Sequence, residues 1–157
     1  MCFSATYGPP IFRAAMGERR FLTLLANISF DDPAERAQRR PGDKFSPMRD
    51  VFSSFDDNLR RHVTPSECLT LGESLIKFRG RCPFRVYMPQ KPGRYGILVR
   101  TVADAQNRYL WKAWVYAGAP AQPEAAPPDT VFSKVDDLVN FMVKDVVRSG
   151  RNVTMDR

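Results

Sequence analysis

The sequence lacks long apolar runs, and none approaches the ~18 consecutive apolar residues that are needed to cross a bilayer. It also lacks an N-terminal charged segment followed by an apolar stretch, so no secretory signal is visible. Both absences predict a protein without a membrane partner.

Cysteine and histidine are scarce, with three cysteines and one histidine among 157 residues. Because Cys2, Cys68 and Cys82 are odd in number and widely spaced, they favour neither a disulfide framework nor a zinc site. Reduced thiols are typical of the cytosol or the nucleus. His62 has no partner nearby in sequence that would make it a catalytic base, so we interpret it as a helix-terminal residue.

Acidic residues are absent from one segment of thirty residues, from Ser74 to Ala103. That segment carries seven basic residues: Lys77, Arg79, Arg81, Arg85, Lys91, Arg94 and Arg100. The remaining residues carry 17 basic and 17 acidic groups, so the whole net charge of +7 belongs to this segment. Aromatic residues are interleaved with the cations. Such a stripe is typical of a polyanion binder, and the alternative is a solvated basic face without a partner.

Hydrophobic spacing predicts two helices in the first third of the chain. Residues 14–29 place four apolar side chains on one helical face: Phe21, Leu24, Leu25 and Ile28. Residues 33–45 are polar and predict a loop. Ser46 and Pro47 then resemble an N-cap and a first helical residue, and they open a second helix over residues 47–62.

Alternating and β-branched residues predict strands over 68–78, 96–104 and 108–116. We expect Asp104 to cap the turn between the last two, and Trp111 and Trp114 to point to opposite faces. Residues 117–130 are rich in alanine and proline and predict a loop, followed by a helix over 134–148 and a strand from Asn152.

Three motifs occur in order between Leu69 and Tyr95: LT-x-x-E, then FRGRCPFR, then YMPQKP followed by Tyr95 and Gly96. This stretch resembles the signature of piggyBac-type transposases and their domesticated derivatives. Upstream segments (FRAAMGERRF, ISFDD, DKFSPMRDVF) and downstream segments (VYAG, RNVTMD) extend the resemblance over roughly residues 7–157.

The resemblance implies an α+β (or α/β) ribonuclease-H-like core, and the hydrophobic spacing places two helices before it. Its three-strand antiparallel meander, helix and fourth strand agree with the order predicted from periodicity. We expect a helical segment over residues 1–66 and a partial ribonuclease-H-like domain over residues 67–157, cut off after its fourth strand.

The chemistry that the resemblance implies is cut-and-paste DNA transposition. Three aspartates would hold two divalent ions, usually Mg²⁺, which activate the attacking oxygen and stabilise the leaving oxygen. The first aspartate belongs to an LT-x-D-E pattern, and its position here is Gly72. The second corresponds to Asp156, and the third would lie beyond Arg157. Glu73 follows Gly72, but neighbouring side chains of a strand point to opposite faces, so substitution by Glu73 would need a bulge.

We therefore predict a degenerate or domesticated transposase-derived protein without enzyme activity, with Asp156 as a vestigial metal ligand and no cofactor. It would bind DNA non-specifically and take no small-molecule substrate. The candidate DNA-binding residues are Lys77, Arg79, Arg81, Arg85, Lys91 and Arg94. The alternatives are a protein-interaction module and a fragment of a longer transposase-derived protein. The resemblance implies a nuclear location, although the sequence contains no compact import signal, so the cytoplasm stays open.

Overall fold

A computed structural model describes residues 2–155 of the chain. The helices are α1 (Pro10–Ala15), α2 (Glu18–Ala26), α3 (Pro33–Arg39), α4 (Ser46–His62) and α5 (Val135–Val143). The strands are β1 (Cys68–Lys77), β2 (Val86–Met88), β3 (Arg94–Asp104), β4 (Leu110–Val115) and β5 (Asn152–Met155). Two short 3₁₀ helices span Pro123–Ala125 and Lys144–Val146.

The described residues form two compact units, one ending at Phe30 and the other beginning at Asp31. The first unit contains α1 and α2, and the ring of Phe3 packs against Phe12 and Phe21. The second unit contains α3, α4 and the sheet with α5. The boundary predicted between residues 66 and 67 stays a prediction.

The single helix predicted over residues 14–29 is wrong, because α1 ends at Ala15 and α2 begins at Glu18. Met16 and Gly17 are extended, and glycine in a helix interior is unfavourable. The four apolar residues predicted to share its face are exposed: Phe21, Leu24, Leu25 and Ile28.

The loop predicted over residues 33–45 contains helix α3. Pro33 stands in its first turn, and Asp32 caps it by accepting a hydrogen bond from the Ala34 amide at 2.8 Å. The start of α4 also differs from the prediction, since Phe45 is the N-cap and Ser46 already lies in the helix.

The sheet is built around β3, which pairs antiparallel with β1, β2 and β4. Strand β5 pairs in parallel with β1, so the order is β2-β3-β1-β5 with β4 also beside β3. The predicted meander (β1, β3 and β4), the following helix and the fourth strand are confirmed. Strand β2 was not predicted.

The prediction that Trp111 and Trp114 point to opposite faces is wrong. The β3–β4 register shifts where Val102 pairs with Lys112 and Ala103 pairs with Leu110, which leaves Trp111 as an extra residue. Such a bulge changes the alternation of side chains. Both tryptophans are therefore buried in one cluster with Met142 of α5.

The sheet buries apolar residues on two faces. One face packs on α5 and buries Leu69, Leu71, Val102 and Met142. The other packs near the start of α4 and buries Phe45, Val99, Ala113, Val115 and Ala117. On β1, the second face is exposed at Cys68, Thr70, Ser74 and Ile76.

Helix α5 ends at Val143, earlier than predicted, and continues as the 3₁₀ turn Lys144–Val146. The alanine- and proline-rich loop is held in place, because the amides of Ala121 and Gln122 donate to the Pro41 carbonyl. Across residues 2–155, every helix falls short of the length and apolar character that a membrane crossing requires.

Candidate functional site

Gly72 lies in the middle of β1, paired with Thr101 of β3. By strand alternation it belongs to the exposed face of β1, together with Thr70 and Ser74. A Cβ atom added at Gly72 would meet no heavy atom within 4 Å. The position that the resemblance assigns to the family's first aspartate is therefore open and carries no ligand.

Glu73 points to the other face of the sheet. The register between β1 and β3 runs without interruption from Leu69 to Lys77, so no bulge turns Glu73 towards the face of Gly72. Its carboxylate is engaged by Arg100 at 2.5 Å and by Lys91 at 3.6 Å. Glu73 is a partner of two cations rather than a substitute ligand at position 72.

Asp156 lies outside the described residues. The last described pair between β5 and β1 joins Met155 to Leu71, the residue before Gly72. Within residues 2–155, no three His, Cys, Asp or Glu side chains are grouped so that they could hold a metal ion. Because position 72 has no side chain and Glu73 faces away, the described residues do not fit the two-metal site that the resemblance implies.

Residues 77–95 form the second feature of the site, which we call the basic hairpin. It contains β2, the start of β3 and the loop before them, and it carries six cations and no acid. Lys77 ends β1 and lies against the hairpin turn, because a Cβ added at Gly93 would be 3.5 Å from the Cβ of Lys77. The strand pairing therefore brings Lys77 next to the turn at Gly93, beside the other cations of the hairpin.

Arg85 fastens the loop of the basic hairpin. Its Nη1 donates to the carbonyls of Arg79 and Gly80, each at 3.2 Å. Its guanidinium lies 5.4 Å from the ring centroid of Tyr95. The Phe78 amide also donates to the Tyr95 carbonyl at 3.3 Å. The loop that carries Arg79 and Arg81 is thus fixed to the start of β3.

The remaining cations of the basic hairpin differ in whether they form ion pairs. Lys91 pairs with Glu73. Arg100, which follows the hairpin on β3, is paired in the same way. Four exposed cations of the hairpin form no ion pair with any described residue: Lys77, Arg79, Arg81 and Arg94. The four exposed cations stay available to a polyanion.

Sequence reasoning missed an exposed aromatic pair on the basic hairpin. Tyr87 and Tyr95 face each other across β2 and β3, with ring centroids 4.7 Å apart and planes 33° apart. Their exposed fractions are 56% and 39%. The sequence signal for this pair was the alternating pattern around Tyr87. It was too short to predict a strand, because β2 spans three residues and is flanked by prolines, which are unfavourable in strands.

Two of the buried charged groups, Asp104 and Lys112, lie elsewhere and serve the fold. Asp104 accepts hydrogen bonds from the amides of Ser66, Gln106 and Asn107 and from the Ser66 hydroxyl, which confirms its turn role. The Ser66 donors, above all, hold the pKa of Asp104 far below its usual range. Lys112 bonds to the Phe141 carbonyl and to Asp145, and burial lowers its pKa.

Comparison with known proteins assigns the chain to a family. The family model described as "Transposase IS4" matches residues 1–157. Among solved structures, the chain is similar to a piggyBac transposase in a synaptic complex with hairpin DNA, with a TM-score of 0.72 and 25% sequence identity. That match covers 92% of this chain and 34% of the transposase chain, so this chain spans about a third of its length. It confirms the ribonuclease-H-like fold class.

Proposed function

This chain belongs to the piggyBac-type transposase family, and on that premise we propose that it binds DNA through the basic hairpin and does not cut DNA strands. The partner is double-stranded DNA, bound without sequence preference. A nuclear location follows from the same proposal.

The observation that carries the binding proposal is the concentration of unpaired positive charge on one ordered element. Lys77, Arg79 and Arg81 are exposed and lie beside or within a loop that Arg85 fixes. Cations that contact phosphates release condensed counterions, which supplies affinity independent of base sequence. A DNA complex of the similar transposase supports DNA as the polyanion.

The proposal of lost cleavage rests on position 72. Glu73 cannot supply the carboxylate that is missing at position 72, because it pairs with Arg100 on the other face of the sheet. Two-metal phosphoryl chemistry needs carboxylates that fix both ions, and a missing ligand removes electrostatic stabilisation worth orders of magnitude in rate.

Salt-dependent binding tests the proposal. Fluorescence anisotropy of a labelled random duplex should give a log–log dependence of affinity on salt, measured between ~50 and ~200 mM NaCl. The triple variant Lys77→Ala, Arg79→Ala and Arg81→Ala should weaken binding and reduce the magnitude of the slope by about 2 to 3. Arg85 is kept because it holds the loop.

A matched control removes three exposed arginines outside the basic hairpin: Arg19, Arg20 and Arg61. It lowers the net charge by the same amount and should leave the slope within about one unit of the wild-type value, since these residues make no phosphate contact in our proposal. Equal losses in the two variants would mean that total charge and not the basic hairpin governs binding.

A second candidate function is protein interaction, and the exposed apolar residues of α2 and α4 favour it. On α4, Met48, Val51 and Phe55 lie three or four residues apart and are all exposed. Association through such a face buries apolar area and depends weakly on salt. A folded chain that ignores DNA but binds a protein in a salt-independent manner would favour this candidate.

A further inference from the structure

We propose that the exposed ring of Tyr87 stacks an unpaired base of single-stranded DNA that the cations of the basic hairpin hold by its phosphates. This inference rests on the proposed function and names a second form of DNA that the same element recognises.

The two tyrosines of the pair differ in what surrounds them. Tyr95 is engaged twice, by the ring of Tyr87 at 4.7 Å and by the guanidinium of Arg85 at 5.4 Å. Tyr87 has no aromatic or cationic neighbour besides Tyr95 among residues 2–155, and 56% of it is exposed. Tyr87 is therefore the more exposed member of a tilted aromatic pair, and more than half of it is accessible to a further ring.

The strand that carries Tyr87 is anchored by the packing of its neighbours. Neighbours of Tyr87 on β2, Val86 and Met88, are half-buried and line an apolar cleft with Leu98. Before β2, the Phe84 ring packs edge-on against Phe45, with centroids 5.8 Å apart. A side chain presented on an anchored strand loses little conformational freedom when it binds, which favours affinity.

The charge around the pair selects an anionic strand. Arg85 contacts the Tyr95 ring and the backbone of the loop that carries Arg79 and Arg81. No acidic residue occurs from residue 77 to residue 95. Aromatic side chains beside a positively charged surface are the usual means by which proteins bind single strands, because every base offers a π face.

Only an unpaired base can use the Tyr87 ring. In a duplex both faces of each base are covered by neighbouring base pairs, and exposing one costs a few kcal/mol of stacking and pairing. Phosphates, in contrast, are accessible in duplex and single strand alike. The duplex should therefore depend on the cations alone, and the single strand should depend on the cations and on Tyr87.

The test compares three labelled DNAs of equal length, about twelve nucleotides: oligo(dT), the same strand with abasic sites, and a duplex. Affinity is measured by anisotropy for the wild-type chain and for Tyr87→Ile and Tyr87→Phe. Isoleucine keeps a β-branched cross-strand contact with Tyr95 but has no π face. Phenylalanine keeps the ring. Thermal unfolding checks that each variant is folded.

We expect the wild-type chain to prefer oligo(dT) over the abasic strand by at least about fivefold, since one stacked base contributes about that factor or more. Tyr87→Ile should lose this preference, Tyr87→Phe should keep it, and the duplex affinity should stay unchanged in both.

Equal wild-type affinity for oligo(dT) and the abasic strand would overturn the inference even if a variant failed to fold. Unchanged oligo(dT) binding by folded Tyr87→Ile would overturn it too. In both cases salt-dependent duplex binding would leave the proposed function standing. No binding of any of the three DNAs would overturn both.

Discussion

At the scale of single residues, Asp104 illustrates a buried carboxylate that stabilises the fold without serving the candidate site. It is 1% exposed and accepts hydrogen bonds from three backbone amides and one hydroxyl. Those donors join the segment before β1 to the turn after β3. Its charge is favoured in the folded state, which is why its pKa lies below the usual range.

Asp104→Asn should lower the free energy of unfolding at pH 7, since hydrogen bonds to a charged acceptor are stronger than those to a neutral one. Because the folded-state pKa is lowered, the contribution of Asp104 is present above the unfolded-state pKa of about 3.9 and is lost as the pH falls below it. The stability difference between wild type and variant should therefore shrink in acid.

Urea unfolding at pH 7 and near pH 3 measures this difference. Asp50→Asn is the matched control, because Asp50 is 80% exposed and makes one distant contact with Arg39 at 3.7 Å. It should change the free energy of unfolding by less than about 0.5 kcal/mol. A pH-independent effect of Asp104→Asn would contradict the assigned cause.

Gly72 offers a second prediction at the scale of single residues. A Cβ there meets open space, so Gly72→Ala should leave stability unchanged or raise it by about 0.5–1 kcal/mol. Gly96→Ala is the opposite case, since its Cβ would clash with the Ile76 carbonyl oxygen. Thermal unfolding of the pair checks this contrast. A strongly destabilised Gly72→Ala would mean that the fold itself requires glycine at this position.

At the scale of elements, the basic hairpin depends on Arg85 for its order. Arg85→Lys keeps the charge but removes the planar guanidinium that lies over Tyr95. We expect trypsin to cut after Arg79 and Arg81 several-fold faster in this variant, because the loop opens more often.

Arg81→Lys is the matched control for that measurement, since Arg81 is exposed and makes no ion pair within the described part of the chain. It should leave the cutting rate after Arg79 unchanged. Equal rates in wild type and Arg85→Lys would show that the contacts of Arg85 do not hold the loop.

The same elements show how far the sequence could predict the structure. Alternating and β-branched residues located β1, β3 and β4, because such residues favour strands that are buried on at least one face. They could not locate β2, whose order comes from pairing with β3 across a proline-flanked turn. Nor could they reveal the bulge at Trp111, because a bulge is a property of two paired strands and not of one.

The candidate site was predictable in composition but not in arrangement. Sequence alone identified the acid-free segment and glycine at position 72. Which cations are paired depends on tertiary neighbours: Glu73 lies opposite Arg100 because of the β1–β3 register. The exposed ring of Tyr87 depends likewise on strand pairing, which no periodicity reports.

At the scale of the whole molecule, the chain combines a transposase-family fold with a net charge that belongs to one segment. The β1 face that carries Gly72 is exposed, and the cations lie on the hairpin that follows β1. In our account the two features differ in function: the hairpin binds DNA, and the position of the first aspartate does not support cleavage.

The most direct test of that claim is strand cleavage of DNA that the protein has bound. End-labelled duplex is saturated with the wild-type chain at low salt, Mg²⁺ or Mn²⁺ is added, and the strands are resolved on a denaturing gel beside an EDTA control. Our account predicts bound DNA that stays intact with either metal. Metal-dependent nicks that disappear in Glu73→Gln or Asp156→Asn would contradict it, because they would show that carboxylates of this chain still assemble a cleaving site without a side chain at position 72.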